Sequence, residues 1–526
     1  MWLALTFTPS LTPRPWLFQG VLGGIAFALG YWFGATLIWL WNYLELPVVP
    51  PRWRRPLYWL LVLATALRIG WYLWNASGWQ NSTRELMGMP DVEGTHYVRT
   101  LLVSAAIALL LIGLVWALIR STRFVASIPH SYIQRRVASV VGGAVFLVLL
   151  VQTVNGTLVS TAITLINEAQ ATIDVSDPPG AVPPAEPARS GSPASLVAWD
   201  RLGRAGKRFV HEGPRKSDIE AFTGKEAKEP IRVYVGLRSA DDTADQASLA
   251  LEELKRTGAF SRKLLVIATP TGTGWVDNLG IGPLEYMHGG DTAVVGVQYS
   301  YLQSAFSLIL EPGRSQASAA VVFQTIYRYW QSLPKEQRPK LYLFGLSLGS
   351  HGSETSAPLY AFVSHAISGA VWAGPPFRNA LWRNVQRNRN PESTAWLPHF
   401  ENASMIRVTG PYDGPEAVSG GWGPIRIVYV VNPSDSIVFF EENMWFREPD
   451  WMKQPRGPDL SPLLRWTPVI TFLQVGLDML FAAEVPPGHG HNYAVDDYAD
   501  AWIEVSAPEG WTPSELARLK VMFANR

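Results

Sequence analysis

Hydrophobic positions fall into two regimes along the chain. Up to about residue 165 they form long unbroken runs, at 16–40, 57–74, 98–119 and 137–161. Each approaches or exceeds the roughly 20 residues that cross a hydrocarbon core, so four spanning helices are predicted. Arg68 interrupts the second run. From about residue 196 the pattern changes to short β-rich runs separated by amphipathic stretches. Strands are expected at 231–237, 263–270, 292–301, 341–345 and 367–374, and another ending at Val431. Helices are expected at 244–256, 315–334, 356–366 and 493–505. Continuous apolar strands alternating with helices indicate a mostly parallel sheet covered on both faces. Between the regimes lies DPPGAVPPAEPARSGSPAS, a Pro/Ala/Gly/Ser tract that reads as a semi-extended tether. The expected organisation is a membrane region over 1–165, a linker over 166–205 and an α/β domain over 206–526.

Charge refines this picture. Arg52, Arg54 and Arg55 follow the first run, and Arg120, Arg123, Arg135 and Arg136 follow the third. The loop after the second mixes Arg84 and Arg99 with Glu85, Asp91 and Glu93, while Glu168, Asp174 and Asp177 follow the fourth. The positive-inside rule makes the two arginine-rich loops cytoplasmic and places the second half of the chain outside the cytoplasm. Arg14, a base before the first run, opposes that orientation. Overall, 44 basic residues balance 43 acidic ones, so no field draws the chain to nucleic acid. Cysteine is absent, which removes disulfides, thiolate metal sites and a cysteine nucleophile.

The candidate chemistry begins at LYLFGLSLGSHG. Ser347 has Gly345 and Gly349 two residues to either side, a strand before it and a small-residue helix after it. That is the pattern of a nucleophile elbow, in which the glycines let strand and helix approach closely. Such a serine needs a base, a group to orient the base, and donors for the oxyanion. Asp435, in the loop after the strand ending at Val431, is the expected carboxylate, with Asp413 in reserve as a turn residue. His489 and His491, in PPGHGHNY, are the late histidines; either supplies the imidazole, and His491 abuts the expected helix. No carboxylate cluster accompanies the two, which disfavours a metal site. The oxyanion donors are expected from Leu348, after the serine, and from the glycine-rich TPTGTGW, with Gly272, Thr273 and Gly274 as candidates. GTGW lacks the third glycine and following helix of a dinucleotide fingerprint, and no Lys-Ser/Thr follows as in a P-loop. The aromatic stretches FFEENMWF and PDWM read as core or lid packing, or as cover for an apolar entrance.

With these residues assembled, the chain resembles a bacterial family of membrane-anchored α/β-hydrolases, in which a multi-helix membrane region precedes a hydrolase domain. The likeness is carried by FTPSLTPRPWLFQG, TPTGTGWVD, VQYSYL, FGLSLGS, NPSDSIVFF and PPGHGHNY. It implies an α/β-hydrolase fold and a serine hydrolase using Ser347, Asp435 and a histidine from the His489/His491 pair, with no metal or organic cofactor. Tethering to a bilayer favours a membrane lipid or lipid-linked ester as substrate, at a cell-membrane location with the hydrolase domain outside. The same groups could run acyl transfer, or the domain could serve as a non-catalytic binding module.

Overall fold

The computed structural model describes the whole chain except residues 95, 128–159, 303–306, 308–312, 358–364, 415–419 and 526. All but the last two residues of the fourth expected span therefore lie outside the described residues, as does most of the helix expected over 356–366. Contacts divide the chain into two units. The first holds Met1–Leu165, Phe440–Met452 and Asp459–Phe481; the second holds Ile166–Phe439, Lys453–Pro458 and Ala482–Arg526.

In the first unit, among the described residues, three helices are long and apolar enough to cross a membrane: Trp16–Tyr43, Pro51–Leu86 and Tyr97–Ser121. Their outward faces carry large apolar side chains such as Ile38, Trp39, Trp59, Leu60, Leu109 and Leu110, all exposed. Two of the helices meet through small residues. A Cβ on Gly20, Gly23 or Gly24 would come within 2.7, 2.6 and 2.6 Å of Val103, Ser104 and Ile107 respectively. With no side chain in the way, the Ser104 hydroxyl donates to the Gly20 carbonyl at 2.9 Å.

Residues 440–452 and 459–481 join this unit from far along the chain, as an insert between Asp435 and His491. Met444, Trp451 and Met452 are buried there, while Trp445 and Phe446 stay exposed. The N-terminal segment grips the insert by polar contacts. Arg14 Nε lies 3.2 Å from Asp478 Oδ1, with both side chains fully buried. Arg14 also donates to the Thr6 carbonyl and to Gln19 Oε1, Ser10 donates to Asp478, and Gln474 reaches the Thr8 carbonyl at 3.0 Å. Arg14 is thus paired inside the unit. Burial lifts the Asp478 carboxyl to about 6, against the pull of Arg14.

The second unit is built on seven parallel strands: β1 (Ile231–Val235), β2 (Leu264–Thr269), β3 (Thr292–Val297), β4 (Lys340–Leu346), β5 (Gly369–Ala373), β6 (Ile406–Thr409) and β7 (Arg426–Val430). Their order across the sheet is β1-β3-β2-β4-β5-β7-β6. Nearly every strand residue is buried, which is why the runs read as unbroken apolar stretches. The register aligns Thr269 with Gly345, Leu346 with Ala373, and Ala373 with Val430. Four strands therefore end together at the middle of the carboxyl edge, and ligands of open α/β sheets bind along that edge.

Several elements depart from the expected set. β6 escapes notice because it is four residues long and contains Arg407, whose charge is met by Glu504 at 3.0 Å. Helices Gly203–Glu212, Lys216–Thr223 and Asn278–Met287 are additional. The expected tether is partly built into the domain. Arg189 is fully buried, donates to the Val210 and Pro214 carbonyls, and pairs with Glu229 at 2.8 Å. Beside it, Ser190 donates to the Arg232 carbonyl and Arg232 to Ala188, so this stretch covers the edge of β1.

Two measurements test the packing. Arg14→Leu leaves an uncompensated buried carboxylate and should cost about 3–5 kcal/mol of stability, whereas Arg14→Leu/Asp478→Leu should recover most of that loss. Melting of the full chain in detergent reads both; equal stability of the two variants refutes the pairing. Burial, reinforced by Asp500 and Asp496, raises the Asp497 carboxyl from 3.8 to about 7, opposed by Lys520. A carboxyl raised by folding holds a proton that the unfolded chain releases. Its favourable contribution is complete below 3.8 and is lost as pH rises through about 7. The domain should therefore melt higher at about pH 5 than at about pH 8, and Asp497→Asn should flatten that slope.

Candidate active site

At the end of β4 the backbone turns sharply. Ser347 sits at φ 56° and ψ −126°, a conformation few non-glycine residues adopt, and the helix Leu348–Ser356 starts with the next residue. Crowding enforces this corner. A Cβ on Gly345 would lie 2.5 Å from the Gly349 backbone, and one on Gly349 would lie 2.2 Å from the Thr269 carbonyl oxygen. Strand, helix and the neighbouring end of β2 thus touch at positions where no side chain fits. The Ser347 amide donates to the Ala373 carbonyl at 2.9 Å, and its carbonyl accepts from the Ser350 hydroxyl at 2.7 Å and the His351 amide at 3.2 Å. Strain at one residue is held from both sides.

Asp435 lies past the end of β7 and is fully buried. Its Oδ1 accepts from the Ile437 amide at 2.8 Å. Its Oδ2 accepts from the Tyr493 hydroxyl at 2.6 Å and contacts His491 Nδ1 at 2.7 Å. A carboxylate can only accept, so Nδ1 carries the imidazole proton and Nε2 presents a lone pair. That Nε2 is buried and has no hydrogen-bond partner among the described residues. Burial and the adjacent Asp435 charge keep the Tyr493 phenol well above its ordinary pKa, so it remains a donor.

The histidine loop is fixed by its backbone. The His491 amide donates to the Ala482 carbonyl at 2.7 Å, Gly490 to the Ser434 hydroxyl at 2.8 Å, and Asn432 to the Gly490 carbonyl at 2.9 Å. The imidazole lies against Gly374, where a Cβ would meet Cε1 at 2.5 Å. The preceding residue, Ala373, is the one that holds the Ser347 amide. Between the two late histidines, the structure brings His491 to Asp435. His489 occupies the turn before it, where its amide donates to the Pro486 carbonyl at 3.2 Å. Asp413 is exposed at the end of β6, in a turn where its carbonyl accepts from the Thr409 hydroxyl. Tyr493 and Gly374 escaped sequence reading, although Tyr493 closes the same PPGHGHNY motif.

Beside the serine, the turn 271–275 leaves the end of β2. The Thr271 amide donates to Trp275 and the Gly274 amide to Thr271, at 2.9 and 3.0 Å. Gly274, at φ 85°, spends its N–H inside the turn, so its expected part as an oxyanion donor falls away. Leu348, Gly272 and Thr273 keep theirs as candidates. A helix does follow this loop, contrary to expectation, but its N-cap is Asp277, which accepts from Leu279 at 3.0 Å. A carboxylate already occupies the place where a bound phosphate would sit. Among the described residues, no three His, Asp or Glu side chains gather as a metal-ligand set.

No curated protein and no solved structure matches the chain. Two family models do. One described as an alpha/beta-hydrolase family N-terminus covers residues 7–214, and one described as an alpha/beta-hydrolase family covers residues 231–519. The second spans more than half of the chain and takes in the elbow, the buried aspartate and the histidine loop. With its parallel sheet, the chain belongs to the alpha/beta-hydrolase family.

Proposed function

We propose that the protein is a membrane-anchored serine hydrolase that cleaves lipid-linked or acyl esters. One observation carries this reading: the Asp435–His491 hydrogen bond, beside a serine held at positive φ on the carboxyl edge of the sheet. His491 Nε2 takes the proton from Ser347 Oγ as that oxygen attacks the ester carbonyl carbon. The amides of Leu348 and Thr273 receive the oxyanion. Collapse expels the alcohol, which takes the proton from His491, and an ester forms between the acyl group and Ser347. Water, deprotonated by His491, then releases the acid and restores the serine. Asp435 holds the imidazole in the required tautomer and balances its transient positive charge, and Tyr493 holds Asp435.

A lipid-borne substrate is supported by the three helices, among the described residues, that are long and apolar enough to cross a bilayer, since anchoring there would set the domain where such esters are concentrated. The arginine-rich loops argue for a hydrolase domain on the extracytoplasmic side of a cell membrane. A reporter fused after Arg526 should be active only outside the cytoplasm; activity inside would reverse the orientation.

Ser347→Ala should abolish ester cleavage and labelling by a fluorophosphonate probe while the chain still inserts into membranes. Turnover of a short-chain ester by that variant would sink the assignment. Asp435→Asn, which favours the wrong tautomer, should lower kcat by about 10⁴. Tyr493→Phe should cost about tenfold, in line with one lost hydrogen bond to a charged group. His489→Ala should leave kcat within a few-fold of wild type, whereas His491→Ala should match the serine variant.

A further inference from the structure

Gln298, in the VQYSYL motif, has no part in the reaction as set out above, yet it is fully buried at the carboxyl end of β3. Its backbone is fixed by the Gln298 amide, which donates to the Val235 carbonyl at 2.9 Å. Its side-chain oxygen accepts from the Leu237 amide at 3.0 Å, so the amide orientation is determined and Nε2 faces the other way. Nε2 then shares its two N–H bonds among three acceptors, each at 3.3 Å: the Thr273 carbonyl, the Ser300 carbonyl and Asp174 Oδ1. Next to it, the Tyr234 hydroxyl donates to the Gly274 carbonyl at 2.5 Å. Two consecutive carbonyls of the turn 271–275 are therefore held by buried side-chain donors. No room is left for adjustment, since a Cβ on Gly274 would lie 2.6 Å from the Tyr234 oxygen and 2.7 Å from Gln298 Cγ.

Asp174 connects this clamp to the helix Ser160–Val175, through which the chain enters the hydrolase domain. Its Oδ1 also accepts from the Arg204 amide at 3.1 Å, at the start of the helix Gly203–Glu212, where a negative charge is favoured. Asp174 is itself buried, and the entering helix ends one residue later.

Resting on the serine-hydrolase reading, we infer that Gln298 is a positioning residue for the reaction: it holds the turn 271–275 so that the Thr273 amide points at the developing oxyanion, and Asp174 braces it from the end of the entering helix. Neither residue touches substrate. Gln298 and Tyr234 pin the two peptide planes that follow Thr273. The plane carrying the Thr273 N–H is joined to them within a turn closed by the Thr271–Trp275 and Gly274–Thr271 bonds, so the turn as a whole is fixed before substrate arrives. Pre-set donors of this kind act on the transition state more than on the bound substrate, so the effect belongs in kcat.

The test uses the full chain in detergent micelles, with a short-chain ester as substrate and a fluorophosphonate as probe of Ser347. Gln298→Met keeps the bulk and loses both hydrogen-bonding atoms. It should lower kcat about tenfold or more with KM within about twofold, since removing an oxyanion donor outright costs about 10²–10³ and this one is misaligned, not removed. The rate of probe labelling should fall in parallel, while the final labelled fraction stays at the wild-type level. Asp174→Asn, which can still accept, should lower kcat less than Asp174→Leu does, and Asp174→Leu should lower it by less than Gln298→Met. Combining Gln298→Met with Asp174→Leu should be no worse than Gln298→Met alone, because Asp174 acts through Gln298. An unchanged kcat in Gln298→Met overturns the inference, as does a loss that merely tracks a smaller labelled fraction. Additive losses in the double variant overturn the part given to Asp174. Should Gln298→Met fail to fold, the Asp174→Leu and Asp174→Asn pair poses the same question from the other end of the hydrogen bond. Failure of the hydrolase reading itself has a separate signature: wild-type protein that does not label, or turnover that survives Ser347→Ala.

Discussion

Close approach at one corner governs the geometry of the hydrolase domain. The end of β2, the end of β4 and the first turn of the following helix meet at Gly345 and Gly349, where the spaces for two missing side chains are filled by backbone atoms. That contact leaves Ser347 no relaxed conformation, and its φ of 56° is the price of bringing three elements together. The strain falls on a single residue because the atoms around it are hydrogen-bonded in place, from Ala373 on one side and Ser350 on the other. Everything else at the edge is arranged around this fixed point. β5 ends next to it and supplies Gly374, whose lack of a side chain admits the His491 ring. β7 ends one strand further on and leads into Asp435.

Much of this was legible in the sequence, because the signals were local. An apolar strand followed by G-x-S-x-G announces an elbow by composition alone. A strong strand followed by NPSDS places an aspartate beyond a strand end. The choice between His489 and His491 was not legible, since two residues in one glycine-rich turn differ only in where the backbone points them. The bond from the His491 amide to Ala482 settles that direction, and it joins residues whose pairing no periodicity reports. Gly274 was misread for a related reason: a glycine in a loop advertises a free N–H, but here the turn closes on itself.

The larger misreadings concern charge in apolar company. Arg14 read as a base ahead of the first apolar run, Arg189 fell within a semi-extended tether, and Arg407 disguised a strand. In the structure each guanidinium meets a carboxylate, from Asp478, Glu229 or Glu504. Two of these partners are about 100 or more residues away, and a window of sequence cannot see them. Buried ion pairs are stable only when both members are present, so one residue read alone misleads.

Chain order and packing also disagree, with a consequence for how the protein can be divided. The insert between Asp435 and His491 belongs, over residues 440–452 and 459–481, to the unit of the apolar helices. A gene fragment starting at the linker would encode the entire parallel sheet and all the residues of the elbow and histidine loop. It would also carry Asp478 without its counter-ion, and an orphaned apolar strap strung between the acid and the base. The two units alternate along the chain, so no single cut in the sequence separates one from the other intact.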